Sequence, residues 1–242
     1  MEKVKAKDIR KVNTHFSFKD RYIMEWLISC QLSPFFSAFF VNKKITPNQV
    51  TLLMIISGMI GAILFALPCV ICKAIGTIFI QLWFVFDDSD GEVARYTKQF
   101  SKYGTEMDFM AHAITHPLFI LAFLASSLQL YGIERHWLYL IFLGFLASEF
   151  WSRATVGFNY RILKNNEAKK VAPESNLRQI ISYIRANIWA FPNYILVFPF
   201  LYGVDMIFNT EIMLWCSILL VVYSLANNLV EAGRCLVKLC RG

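Results

Sequence analysis

The stretch Phe86–His116, FDDSDGEVARYTKQFSKYGTEMDFMAHAITH, decides how this chain is read. It sets Asp87, Asp88, Asp90, Glu92, Glu106 and Asp108 between two strongly apolar runs and ends its spaced acids at His112. If the run before it continues as helix past Phe86, Asp87, Asp90, Gly91, Ala94 and Arg95 fall on one face at i, i+3, i+4, i+7 and i+8. If the next helix begins at Gly104, then Gly104, Asp108 and His112 share a face at i, i+4 and i+8. Two antiparallel helices would bring these faces together. Asp88, Glu92 and Glu106 point elsewhere, and the expectation for them is solvation.

Working outward, the chain has 242 residues, 57% of them hydrophobic, with 22 Phe and a mean hydropathy of +0.48. An ordinary soluble domain is about 45–50% apolar, so a membrane protein is expected. About 20 apolar residues cross a bilayer as helix. Six segments qualify: 48–68, 70–90, 106–130, 137–158, 188–208 and 212–234. The expectation is an all-α integral membrane fold with six transmembrane helices. Residues 1–45 form a cytoplasmic and interfacial N-terminal segment, and 46–242 the transmembrane domain. Within the former, RYIMEWLISCQLSPFFSAFFVNK (21–43) reads as one or two interfacial amphipathic helices, broken at Ser33–Pro34. No apolar stretch follows the first charges closely enough for a cleavable signal.

Lys and Arg set the orientation. Of 24 such residues, only Lys73 and Arg135 fall on one side of the six spans. The other 22 share a side with both termini and the acidic stretch, which are therefore expected in the cytoplasm. The net charge of +7 then suits anionic lipid rather than nucleic acid. Cys69-x-x-Cys72 lacks a second pair or a His cluster, so the six cysteines read as small apolar residues rather than a zinc site. In the longest polar connection, Ile180, Ile181 and Ile184 suggest a surface helix.

Three carboxylates crowded in a poorly hydrated place must gain a proton or a cation. All-oxygen ligands suit Mg²⁺ or Mn²⁺ bound together with substrate phosphate. Arg95 could clamp a phosphate bidentately, and Gly91 could admit a ligand close to the backbone. These features suggest divalent-metal phosphoryl transfer. Asp108 and His112 lie inside an apolar run, where ionisable residues are costly and usually functional. Intramembrane acids also serve proton-coupled transporters, a competing reading.

The pattern Asp87-x2-Asp90-Gly91-x2-Ala94-Arg95-x8-Gly104-x3-Asp108 resembles the signature of the CDP-alcohol phosphotransferases, integral membrane enzymes of phospholipid synthesis and related pathways. The resemblance implies transfer of a substituted phosphate from a CDP-alcohol to a lipid or small polar alcohol acceptor, with release of CMP. It also implies six membrane helices, a homodimer, and Asp87, Asp90 and Asp108 as ligands to one or two metal ions. Arg95 would act on the diphosphate beside Gly91, Ala94 and Gly104. Pro47-Asn48-x2-Thr51 would border the nucleotide, with Asn48 and Thr51 as hydrogen-bonding partners. Thr46, Pro47 and Gln49 also have a local reading as a helix start.

The family pattern ends in a fourth Asp, the general base and often a metal ligand; here that position is His112. It could be the base, a nitrogen ligand shifting preference toward Mn²⁺, or a mark of lost activity. His116, one turn on, reads as a core histidine. Arg153, Arg161 and Lys164 read as membrane anchors, with recognition of a phosphorylated acceptor as the alternative.

Overall fold

The computed structural model describes residues 3–12, 23–163 and 191–240. All regular structure among them is helical: α1 (Ala6–Val12), α2 (Ile23–Leu27), α3 (Ser29–Asn42), α4 (Pro47–Ala66), α5 (Val70–Thr97), α6 (Gly104–Tyr131), α7 (Trp137–Leu163), α8 (Phe191–Phe208) and α9 (Ile212–Cys240). Among the described residues, four stretches are long and apolar enough to cross a membrane: Pro47–Ala66, Val70–Thr97, Gly104–Tyr131 and Ile212–Val237. α7 is long but carries Glu149 and Arg153, and α8 has 18 residues. The suggested surface helix at Ile180–Ile184 lies outside the described residues.

α4 starts where its sequence says it should. Gln49 Oε1 accepts from the Thr46 backbone N–H at 2.9 Å, and Pro47 occupies the first turn, where a missing N–H costs nothing. α5 starts differently: Cys69 Sγ accepts from the Cys72 N–H at 3.3 Å, so the C-x-x-C is a helix cap. α5 then runs unbroken through the acidic residues and stops at Lys98, whose φ of 57° is left-handed.

Small residues make α4 and α5 cross at backbone contact, as in tightly packed membrane helices. A Cβ at Gly76 would lie 2.7 Å from Phe65 N and 2.9 Å from Gly61 O. A Cβ on Gly58 would meet Trp83 Cδ1 at 2.6 Å and Thr115 Cγ2 at 2.8 Å. Lys73 closes the far end of this pair, donating to Phe65 O and Ser126 Oγ, both at 2.8 Å. α6, α7, α8 and α9 complete the body around an aromatic core, where Phe123 stacks on Phe198 at 3.9 Å and Phe65 meets Phe123 edge-on. α8 keeps Pro199, and Gln81 of α5 donates to the nearby Leu196 carbonyl at 3.1 Å.

The N-terminal helices correct two expectations. α3 is not broken at Ser33–Pro34; it runs from Ser29 to Asn42 through Pro34, a proline in its second turn removing a single backbone bond. Nor do Asp88 and Glu92 meet water: they are 6% and 3% exposed, buried against α3. Glu92 accepts from Ser33 Oγ at 2.9 Å and Ser37 Oγ at 2.6 Å, and Cys30 Sγ lies 3.5 Å from Asp88 Oδ2. Glu106 is exposed. α3 thus turns a Ser and Cys seam to α5, while Leu32, Phe35 and Phe39 face outward. Of the cysteines, Cys30 and Cys235 are buried, Cys240 is exposed, and the others are half-buried.

Candidate active site

The site forms where the last turns of α5 meet the first turns of α6. Gly104 opens α6, so Asp108, His112 and His116 stack on one face, each a turn from the next. His112 Nε2 lies 3.2 Å from Asp87 Oδ1 on α5 and 3.3 Å from Asp108 Oδ1 on its own helix. Asp87, Asp108 and His112 each offer a ligand atom, all within 4.8 Å of one another. Two carboxylates facing one imidazole nitrogen need positive charge between them, either the hydrogen of a charged ring or a divalent cation. Two oxygens and one nitrogen are a donor set that fits a divalent ion of the Mg²⁺ or Mn²⁺ kind, with the nitrogen favouring the latter.

Asp90 sits beside this trio rather than in it. Thr51 Oγ1 on α4 donates to Asp90 Oδ2 at 2.7 Å, so a residue expected at the nucleotide holds a carboxylate. Asn48, on the first turn of α4, is exposed. Arg95 folds back along its helix: a Cβ on Gly91 would lie 2.9 Å from Arg95 Nη1. Gly91 therefore makes room first for the guanidinium of its own helix. Gly104 has open surroundings, the nearest being Ser101 at 3.7 Å from an added Cβ, and Ala94 is half-buried near Arg95.

Behind His112 the structure joins His116 and Arg153 to Glu149 and Trp83, two residues that the sequence did not single out. His112 Nδ1 is 3.1 Å from His116 Nε2, and His116 Nδ1 is 2.8 Å from Glu149 Oε1 on α7. Arg153, one turn beyond Glu149, reaches Oε1 with Nε at 2.7 Å and with Nη2 at 2.6 Å. Its guanidinium lies 5.4 Å over the Phe109 ring, on α6. Arg153 is thus tied to the protein rather than standing free as an anchor. The Trp83 ring, fully buried, packs edge-on to His112 at 4.9 Å and tilted to His116 at 5.5 Å. Glu149 was findable: it is an acid in an apolar run, with Arg153 at i+4. Pairing it with His116 was not, because that contact spans 33 residues.

A family model described as CDP-alcohol phosphatidyltransferase matches residues 44–223, about three-quarters of the chain. The chain is also 35% identical over 81 residues to the bifunctional IPC transferase and DIPP synthase of Aquifex aeolicus (strain VF5). That alignment covers 34% of this chain and 17% of the relative, so the chain spans a small part of the relative's length.

Proposed function

The chain belongs to the CDP-alcohol phosphatidyltransferase family, and on that premise we propose that it moves a substituted phosphate from a CDP-alcohol to an acceptor hydroxyl, releasing CMP. The observation that carries this reading is the convergence of Asp87, Asp108 and His112 at the meeting of α5 and α6. Family and apolar helices make the chain an integral membrane protein. We read six spans, α7 and α8 joining the four long apolar helices. The Lys and Arg distribution supports placing the site at the cytoplasmic face.

In this reading Asp87, Asp90 and Asp108, with His112, hold one or two divalent ions, Mg²⁺ or Mn²⁺. When bound, such an ion neutralises the diphosphate and eases departure of CMP. Thr51 steadies Asp90 for that purpose. Arg95 pairs with a phosphate oxygen, supplying charge where it develops in the transition state. Where its Nε2 lone pair is not given to the ion, His112 takes the proton of the attacking hydroxyl there as that oxygen bonds phosphorus. The phosphorus–oxygen bond to CMP breaks, and CMP leaves with that bonding pair. Asn48, Gly91, Ala94 and Gly104 border the donor. Donor and acceptor sit in the membrane interface, consistent with a lipid on at least one side of the reaction, and the family resemblance supports a homodimer.

One observation favours a second reading. Nε2 stands at hydrogen-bond distance from both carboxylates, so a charged imidazole would itself fill the cation's place and leave a CDP-alcohol-binding protein without turnover.

The test is CMP release across a panel of CDP-alcohol donors and acceptors in Mg²⁺ and in Mn²⁺. The enzyme reading expects metal-dependent release, abolished by Asp108→Ala and cut by about 10²–10⁴-fold in His112→Ala, the usual worth of a general base. Donor binding without release, with release gained by His112→Asp, would establish the second reading instead. Neither binding nor release would overturn both.

A further inference from the structure

We propose that Glu149, acting through His116, is the positioning carboxylate that fixes which nitrogen of His112 carries the hydrogen, leaving the Nε2 that faces Asp87 and Asp108 with its lone pair. The inference rests on the reading of His112 as ligand and base, and concerns how that histidine is prepared for either task.

The chain of contacts admits two hydrogen-bond directions. In the first, Arg153 Nη2 donates to His116 Nδ1, 3.0 Å away. His116 Nε2–H then donates to His112 Nδ1, and His112 is left with its hydrogen on Nε2. Such a ring can neither bind a metal ion nor take a proton there. In the second, His116 Nδ1–H donates to Glu149 Oε1 at 2.8 Å. His116 Nε2 then accepts from His112 Nδ1–H, and His112 presents a lone pair at Nε2 to the site.

With the divalent cation of the proposed function held at Asp87 and Asp108, which face Nε2 at 3.2 and 3.3 Å, Glu149 decides between them. An ionised carboxylate only accepts, so the first arrangement would set Oε1 against a bare nitrogen in a place where His116 is 5% exposed and the Glu149 side chain 11%. Arg153 gives up the His116 contact in the second but keeps a partner, since its Nε and Nη2 both reach Oε1. The assignment of hydrogens follows from the network as a whole. Trp83 packs against both rings and keeps them from turning. The arrangement follows the logic of a catalytic triad, a carboxylate orienting the base, with a second imidazole interposed. It parallels the carboxylate–histidine pairs that orient metal ligands, where losing the outer partner costs roughly 10–100-fold in affinity or activity.

The experiment combines Mn²⁺ titration of the purified protein by electron paramagnetic resonance, without substrate, with CMP-release kinetics. Glu149→Gln is expected to weaken Mn²⁺ binding and lower kcat by about 10–100-fold each, leaving the donor KM within about twofold. In a His112→Asp background there is no imidazole to orient, so adding Glu149→Gln is expected to change neither quantity. Equal losses in both backgrounds would show a scaffolding role and overturn the proposal, as would no loss in either. Wild-type protein that binds no Mn²⁺ would overturn the metal reading, and this inference with it. Wild-type binding indifferent to Glu149→Gln would overturn this inference alone. Should Glu149→Gln fail to fold, Glu149→Gln/Arg153→Gln leaves no buried charge uncompensated and carries the same expectation; unchanged Mn²⁺ affinity there would overturn it.

Discussion

Replacing Gly76 with alanine tests whether α4 and α5 set the frame of the site. The new Cβ would sit 2.7 Å from Phe65 N, 2.9 Å from Gly61 O and 3.1 Å from Phe65 Cα. All three are backbone atoms of α4, so no side chain can swing away, and the helices must part by several tenths of an ångström. Overpacking of this kind costs about 1–3 kcal/mol. Against it stands the gain of roughly 1 kcal/mol from replacing a helical glycine by alanine. Gly203→Ala isolates the second contribution. No described atom lies within 4 Å of a Cβ there, so it takes the helix gain without the clash. Between the two variants the gain cancels, and Gly76→Ala should be the less stable by about 1–3 kcal/mol. For a chain of this size that is a separation of very roughly 2–12 °C in Tm, measurable by tryptophan fluorescence during heating in detergent. Equal melting of the two variants would refute the backbone-contact argument and imply that the crossing relaxes freely.

Three further outcomes follow from the packing. Lys73→Met removes a buried ammonium that donates to Phe65 O and Ser126 Oγ, and should cost about 1–3 kcal/mol in the same melting assay; an unchanged Tm would show that the end of α4 needs no such cap. Ser37→Ala strips the 2.6 Å bond from the buried Glu92 and should lower stability by about 1–3 kcal/mol, whereas a neutral result would mean that α3 is held by its apolar contacts alone. Glu211→Gln breaks a pair with Arg135 whose side chains are 42% and 38% exposed; a change below about 1 kcal/mol, fading with salt, is expected, and a larger, salt-independent loss would contradict it.

The candidate cluster of Asp87, Asp108 and His112 was legible in the sequence because its residues obey a single period. Asp87 and Asp90 repeat along α5, and Gly104, Asp108 and His112 along α6, and both helices formed with the ends the spacing required. What stayed hidden depends on partners far along the chain. Asp88 and Glu92 looked like solvated acids because nothing in their own helix announces that Cys30 packs beside Asp88, and Ser33 and Ser37 beside Glu92, from 55 to 59 residues earlier in the chain. Hydropathy weighs Leu32, Phe35 and Phe39 in α3 and is blind to the Ser and Cys seam by which that helix packs on α5. Arg153 fitted the expected pattern of a membrane-flanking cation, and only the fold shows it bound to Glu149.

The rim that carries Lys73, near the start of α5, and Arg135, in the connection between α6 and α7, has a further property. Lys73 is spent inside the protein, between the Phe65 and Tyr202 rings, 5.2 and 5.0 Å from their centres. Arg135 is matched by Glu211. Among the described residues that rim therefore offers no unmatched Lys or Arg to a lipid phosphate, while in the six-span reading proposed above the other Lys and Arg gather at the opposite rim. In that reading electrostatic adhesion to anionic lipid is one-sided. A change in the acidic lipid content of one leaflet would alter how firmly the site end is held at its surface, and the same change in the other leaflet would pass almost unfelt.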